Sequence, residues 1–254
     1  MLLEGKKGLV LNVVNDRSIG WAIADLANRH GATVGIGVQN DRFFSKVEKL
    51  VEGRERFDLL TIDFTIEEDY ARLRQEAEEK YGKLDFLVHA AAFAPKDSMF
   101  GRFKDITFAD FATAMQISAH SLIRLCGELE PIMNDDSSIV ALSYLGSTRA
   151  TPGYNMMGIC KAALEAEVRY LALDLGERGI RVNTVSPGPI RTLAAMGVPG
   201  LQEKIRHVFE RAPLQREYGQ EEAAKSAVYF LSDLSQGVTG QILFVDSGYN
   251  IAAT

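Results

Sequence analysis

Gly8-Leu9-Val10-Leu11-Asn12-Val13-Val14-Asn15-Asp16-Arg17-Ser18-Ile19-Gly20 is a short apolar run, a polar turn and the opening of an amphipathic helix. The run from Gly8 to Val14 reads as a buried strand, and Ser18 to Arg29 as the helix that follows it. The same alternation continues along the chain. Strands are expected at Thr33 to Val38, Asp58 to Ile62, Leu84 to His89, Ser138 to Leu142, Arg181 to Val185 and Gln241 to Val245. Helices are expected in the gaps, most clearly at Ile66 to Tyr81, Thr107 to Met133, Tyr154 to Glu177 and Glu221 to Ser232. Short apolar strands alternating with helices indicate βαβ units. The expected fold class is therefore α/β, a single-domain Rossmann-like doubly wound parallel sheet of about seven strands with helices on both faces. Ligands belong beyond the carboxyl ends of the strands, where the winding reverses.

The 254 residues suffice for one large α/β domain, and the 46% apolar and 24% charged content is that of a globular protein. A net charge of −6 without any basic run argues against nucleic-acid or membrane-surface binding. Met1 to Lys7 has its charges in the wrong order for a signal peptide, and no apolar stretch approaches a membrane span, so a cytoplasmic location is expected. Cys126 and Cys160 lack metal-ligand spacing, and no metal site or disulfide framework is expected. Residues 1 to 254 read as one domain. Gly188 to Pro213, rich in Gly and Pro, is too long for a connecting turn and reads as a lid over the site.

Several strand ends carry residues suited to a dinucleotide. The turn at Asn12 and Val13 leads into a helix capped by Asp16 or Ser18, and the helix start at Ser18 and Ile19 would accept a pyrophosphate. Such a turn commonly uses glycine where this chain has Asn12, although asparagine tolerates left-handed backbone. After the second strand, Gln39 can hydrogen-bond a ribose hydroxyl but cannot neutralise a phosphate, which favours NADH; Arg42 keeps NADPH open. Asp63 and Phe64, after the third strand, could hold the adenine edge, or Asp63 could simply cap a helix. The small residues Ala90, Ala91 and Ala92 let the chain pass close to a cofactor, and His89 reads as a packed structural residue.

A second constellation lies further on, in Ser143-Tyr144-Leu145-Gly146 and Tyr154-Asn155-Met156-Met157-Gly158-Ile159-Cys160-Lys161. Seven helical residues span two turns, placing Tyr154 and Lys161 on one face about 10 Å apart along the axis. A phenol beside an ammonium is an acid catalyst, and the cation is expected to lower the tyrosine pKa.

Together with Asn15-Asp16-Arg17-Ser18-Ile19, Gln39-Asn40-Asp41, Phe93-Ala94-Pro95 and Gly188-Pro189-Ile190-Arg191-Thr192-Leu193-Ala194-Ala195, these residues make the chain resemble the bacterial enoyl-acyl carrier protein reductases of fatty-acid synthesis, within the short-chain dehydrogenase/reductase superfamily. The resemblance covers nearly the whole length. It implies hydride transfer from NADH to the β-carbon of a trans-2-enoyl thioester carried on acyl carrier protein. Tyr154 would donate a hydrogen bond to the thioester oxygen, Lys161 would hold the nicotinamide ribose, and Tyr144 would line the acyl pocket. Ile190, Thr192, Leu193 and Ala194 would lie against the cofactor, and Phe93, Ala94, Met196 and Leu201 against the substrate. Met196, Val198, Leu201, Ile205 and Phe209 suit either a mobile wall for a fatty chain or a helix packed on its own domain. Lys204, Arg206 and Arg211 are candidate contacts for the acidic carrier protein. A homotetramer is implied, with subunit contacts at Thr107 to Met133, Tyr154 to Glu177 and the final strand.

Carbonyl-reducing members of the superfamily carry a serine about a dozen residues before the tyrosine, whereas here the residue thirteen before Tyr154 is Ala141. That speaks against a ketone or 3-ketoacyl substrate. Asn12 and Ala92, standing where relatives often have glycine, leave a non-catalytic NAD-binding protein as the other alternative.

Overall fold

The computed structural model describes residues 1–192, 200–216 and 218–252. Its centre is one sheet of seven parallel strands: β1 (Lys7–Leu11), β2 (Thr33–Val38), β3 (Phe57–Thr61), β4 (Leu84–His89), β5 (Met133–Leu142), β6 (Arg181–Pro187) and β7 (Ile242–Val245). They lie in the order β3-β2-β1-β4-β5-β6-β7, so the winding reverses between β1 and β4. This is the doubly wound α/β architecture that the alternating apolar runs predict.

Strand residues alternate between two cores. Leu9, Leu11, Leu87 and Ile139 face α3 (Glu67–Tyr81), α6 (Ser121–Leu129) and α7 (Asn155–Asp174). Val10, Phe86, Val88 and Val140 face α1 (Ile19–Arg29) and α9 (Gln220–Leu231). Burial on both faces explains why the strands read as continuous apolar runs, and each aliphatic side chain removed from water contributes about 1.5–3 kcal/mol. The remaining helices are α2 (Asp41–Val51), α4 (Lys96–Phe100), α5 (Phe108–Met115) and α8 (Leu201–Arg211). Among the described residues, no helix is long and apolar enough to cross a membrane.

Three local departures bear on the site. β1 ends at Leu11 rather than Val14, because Asn12 takes a left-handed φ of 69° and turns the chain out of the strand. β5 begins at Met133, ahead of the expected Ser138, through polar residues that carry no apolar signature. The single helix expected over Thr107 to Met133 is α5 and α6 joined by a π-turn at Gln116–His120. That wider turn sets Ser118 against the loop after β4, where its hydroxyl accepts from the Phe93 N–H and donates to the Phe93 carbonyl, both at 2.8 Å. The Gly188 to Pro213 region is also less irregular than expected, since α8 occupies Leu201–Arg211 with Ile205 and Val208 buried.

Candidate active site

A cavity of about 820 Å³ opens at the carboxyl ends of the strands. The loops after β1 to β6 form its walls, with α7 and the first turn of α8 closing the far side. A site at the reversal point follows from topology, since the loops diverge there and leave a crevice.

At the β1 end, Asn12, Ser18 and Ile19 line the cavity. Asn12 accepts the left-handed turn and its Nδ2 donates to the Ala90 carbonyl at 3.2 Å, tying the first turn to the end of β4. Ser18 occupies the N-cap position of α1 and Asp16 does not, yet the Ser18 hydroxyl makes no cap bond. It accepts instead from the Val14 and Asn15 N–H groups at 3.2 and 3.1 Å, knotting the turn on itself. Gly20 lets α1 close on this turn, for a Cβ there would sit 3.3 Å from Val13 Cγ2 and 3.4 Å from Ala90 Cβ. Val13 and Ala91 are placed differently from the other predicted cofactor residues. Their side chains are packed in the two cores, because successive residues of extended chain point to opposite sides.

Beyond β2 and β3, Gln39 Nε2 donates to Asp63 Oδ2 at 3.1 Å, so two separately predicted residues share one corner of the cavity. Burial works against the charge of Asp63, but hydrogen bonds from the Thr65 hydroxyl and backbone and from Gln39 outweigh it and hold the carboxyl below its ordinary value. Phe43, Phe64 and Thr65 complete this corner, and Arg42 does not line it.

The opposite wall carries Tyr144, Tyr154 and Lys161. Tyr154 sits at the N-cap of α7 and its ring meets Tyr144 at 4.7 Å between centroids, tilted by 58°. Burial first, then Tyr144, Cys160 and Glu165, raise the Tyr154 pKa above its ordinary value. This corrects the expectation of a pKa lowered by the cation. The Lys161 ammonium is nearly fully buried and donates to the carbonyls of Leu142 at 2.7 Å and Ala91 at 3.4 Å. Burial lowers its pKa to about 8, against the pull of Cys160, Glu165 and Glu167. Tyr144 is pushed up to about 12 by burial and by Tyr249 and Asp246. At neutral pH the wall therefore presents two protonated phenols and an ammonium.

His89 is fully buried, and its Nε2 meets the Ser121 hydroxyl at 2.7 Å while that hydroxyl donates to the Ile117 carbonyl. Burial, then Lys161, lowers its pKa to about 3, in keeping with the structural role read from sequence. Phe93 and Ala94 line the cavity, as do Ile190, Thr192 and Leu201. Leu193, Ala194, Met196 and Val198 lie outside the described residues. Within α8, Leu201 faces the cavity, whereas Ile205 and Val208 are buried and Phe209 packs edge-on against Tyr218. Of the three basic residues, Lys204 donates to the Pro152 carbonyl and Arg206 lies near Glu203 and Glu210 of its own helix. Sequence reasoning missed Ser118 and Glu165, which sit inside apparently uninterrupted helical patterns and give no local signal.

The chain matches the family described as enoyl-(acyl carrier protein) reductase over residues 13–250. It is 45% identical to the enoyl-[acyl-carrier-protein] reductase [NADH] of a Nostoc species, covering 98% of both chains. Among solved structures it is similar to the Bacillus cereus enoyl-acyl carrier protein reductase with NADP+ and indole naphthyridinone, with a TM-score of 0.97 and 40% identity over 100% of this chain and 99% of that one. The Anaplasma phagocytophilum reductase in complex with NAD aligns with a TM-score of 0.95 and 39% identity, covering 100% and 97%. Sequence and geometry thus agree along the whole length, and the chain belongs to the enoyl-(acyl carrier protein) reductase family.

Proposed function

We propose that the chain reduces the trans-2 double bond of an enoyl thioester carried on acyl carrier protein, with NADH as reductant and Tyr154, Lys161 and Tyr144 as the working side chains. The observation that carries this reading is the pairing of protonated Tyr154 with buried Lys161 on one wall of the cavity, opposite the Gln39–Asp63 corner. That corner suits a ribose hydroxyl. Its acceptors would repel a 2′-phosphate, and among the described residues its wall holds no cation.

When bound, NADH supplies the hydride that adds to the β-carbon. Charge then develops on the thioester oxygen, and Tyr154 is the donor for it. A preorganised donor in a water-poor site contributes about 3 kcal/mol or more to lowering the barrier. The proton-retaining environment of Tyr154 suits that role, because a phenol that keeps its proton goes on donating. Lys161 holds the nicotinamide ribose and sustains a positive field beside the same oxygen. Tyr144, ring to ring with Tyr154, orients the thioester, and Phe93, Ala94 and Leu201 provide apolar wall for the acyl chain. A proton added at the α-carbon balances the reaction.

Residues 188 to 213 serve as the lid of a single domain spanning 1 to 254; Ile190, Thr192 and Leu201 border the cavity in support. Arg211 is the basic residue of α8 best placed to meet the acidic carrier protein, since Lys204 and Arg206 have partners within this chain. The working unit is a homotetramer. Against carbonyl reduction stands Ala141, which is fully buried inside β5 and carries no hydroxyl.

The test is oxidation of NADH, and separately NADPH, on addition of crotonyl thioester, with Tyr154→Phe alongside. NADH oxidation that the variant loses supports the reading. A folded protein that binds NADH and reduces neither enoyl nor keto thioesters, long chains included, overturns it in favour of a non-catalytic NAD-binding protein.

A further inference from the structure

Glu165 is 4% exposed and one helical turn after Lys161, which is itself 4% exposed. Both point from α7 toward the end of β5. Ser143 donates its hydroxyl hydrogen to Glu165 Oε1 at 2.5 Å, while Lys161 donates to the carbonyl of Leu142, the residue just before, at 2.7 Å. On its other side the Ser143 N–H donates to the Val185 carbonyl of β6 at 2.9 Å. The last residue of β5 and the one after it are thus fastened to two successive turns of α7, and the next residue is Tyr144, whose ring is tilted against that of Tyr154. A buried carboxylate is costly unless a partner or a nearby cation offsets it, and Glu165 has one of each. Nothing in the reaction as described above uses it.

We propose that Glu165 is a positioning residue of the reductase, acting through Ser143 to fix Tyr144 against Tyr154 and acting by its charge to keep Lys161 an ammonium. The proposal rests on the assignment of Tyr144, Tyr154 and Lys161 made above. The two parts of the role come from different atoms. The hydrogen bond sets where the strand end lies, and the negative charge sets how readily the buried lysine holds its proton. The groups facing Lys161 are Cys160, Glu165 and Glu167 from α7, with His89 from β4. Burial keeps Cys160 protonated and His89 neutral at neutral pH, so the two glutamates are the negative charges acting on the ammonium. Glu167 is itself raised to about 7 by burial, so it carries only part of its charge at neutral pH.

Glu165→Gln and Ser143→Ala separate the two parts. Each variant is compared with wild type and Tyr154→Phe for turnover of crotonyl thioester with NADH across pH, with a thermal melt to confirm folding. Glu165→Gln keeps an acceptor for Ser143 but removes the charge, so the alkaline limb of its kcat profile moves to lower pH by about half a unit or more. Ser143→Ala keeps the charge and frees the strand end, so the limb stays in place while kcat falls about tenfold and the KM for NADH stays within about twofold. An alkaline limb unmoved in folded Glu165→Gln, or a kcat unchanged in Ser143→Ala, overturns the proposal. If Glu165→Gln does not fold, Ser143→Ala decides alone. Wild-type turnover that Tyr154→Phe abolishes shows that the functional reading stands whatever these variants do; absence of wild-type turnover overturns both together.

Discussion

Tyr154 and Lys161 work through environments that shift their pKa values in opposite directions, up for the phenol and down for the ammonium, because burial disfavours the charged form of each. Removing the phenolic hydroxyl deletes one preorganised donor. Tyr154→Phe is expected to lower kcat about 100-fold or more with an unchanged melting temperature, as checked by steady-state kinetics beside a thermal melt. The folded-state pKa of Lys161, about 8, lies below the ordinary 10.5, so the ammonium is lost on raising pH through about 8, and turnover is expected to fall there. Between those two values the unfolded chain binds the extra proton, so this group's contribution to stability rises with pH while activity declines. Wild-type activity that is flat past pH 10 would contradict the assignment of Lys161. Asn12 carries a third prediction. Its side chain crowds the cofactor turn, although it braces Ala90. Asn12→Gly is expected to tighten NADH binding about threefold, while the relief of a left-handed non-glycine residue and the loss of one hydrogen bond, each of order 1 kcal/mol, roughly cancel in stability. Fluorescence titration with NADH showing unchanged or weaker affinity would refute the crowding account.

The elements around the tyrosines leave almost no slack. The short 3-10 turn Leu145–Ser147 passes beneath Tyr154, and a Cβ on Gly146 would lie 2.5 Å from Tyr154 Cδ1. Gly146→Ala must therefore push the ring aside, and a displacement of that order costs about 10- to 100-fold in kcat, with the fold retained because the turn belongs to none of the hydrophobic cores. Kinetics within twofold of wild type would show that the ring has room to move. This turn also marks where sequence reading reaches its limit. Strands such as Thr33–Val38 and Leu84–His89 are legible to the residue because both their faces are buried and their composition says so. Tyr154, Lys161, Gln39 and Asp63 are legible as chemistry at strand and helix ends. The Ser118 contact is not, because a π-turn keeps the helical pattern while rotating its faces, and Glu165 is not, because its partner lies 22 residues away and only packing brings the two together. The inward orientation of Val13 and Ala91 depends on where β1 and β4 end, which is the feature of an element that sequence specifies least sharply.

At the scale of the molecule, two unpartnered surfaces bear on assembly. One is the outer face of α5, α6 and α7, where Phe108, Ile123, Tyr170 and Leu173 are exposed, the last to 75%. The other is the edge of β7, which among the described residues pairs only with β6 and presents Leu243. Exposed apolar helix faces and open strand edges are both surfaces that proteins cover. If each is self-complementary, two different isologous contacts on one chain generate a closed tetramer with three perpendicular two-fold axes. The contacts inferred for the homotetramer are these same elements. Removing one contact should then leave the other, so Leu173→Glu, which puts a charge into the helix face, is expected to yield dimers held by the second surface rather than monomers. Light scattering at micromolar concentration checks it: a tetrameric wild type falling to a dimer supports two separate interfaces, whereas a monomeric wild type overturns the assembly outright. The long α7 links this scale to the first, since in the proposed tetramer its outer face would meet the neighbour while its inner face holds Lys161 and Glu165. Loss of that contact is therefore expected to lower turnover as well as mass, with kcat of the Leu173→Glu dimer reduced a few-fold, roughly what a slight loosening of the site would cost.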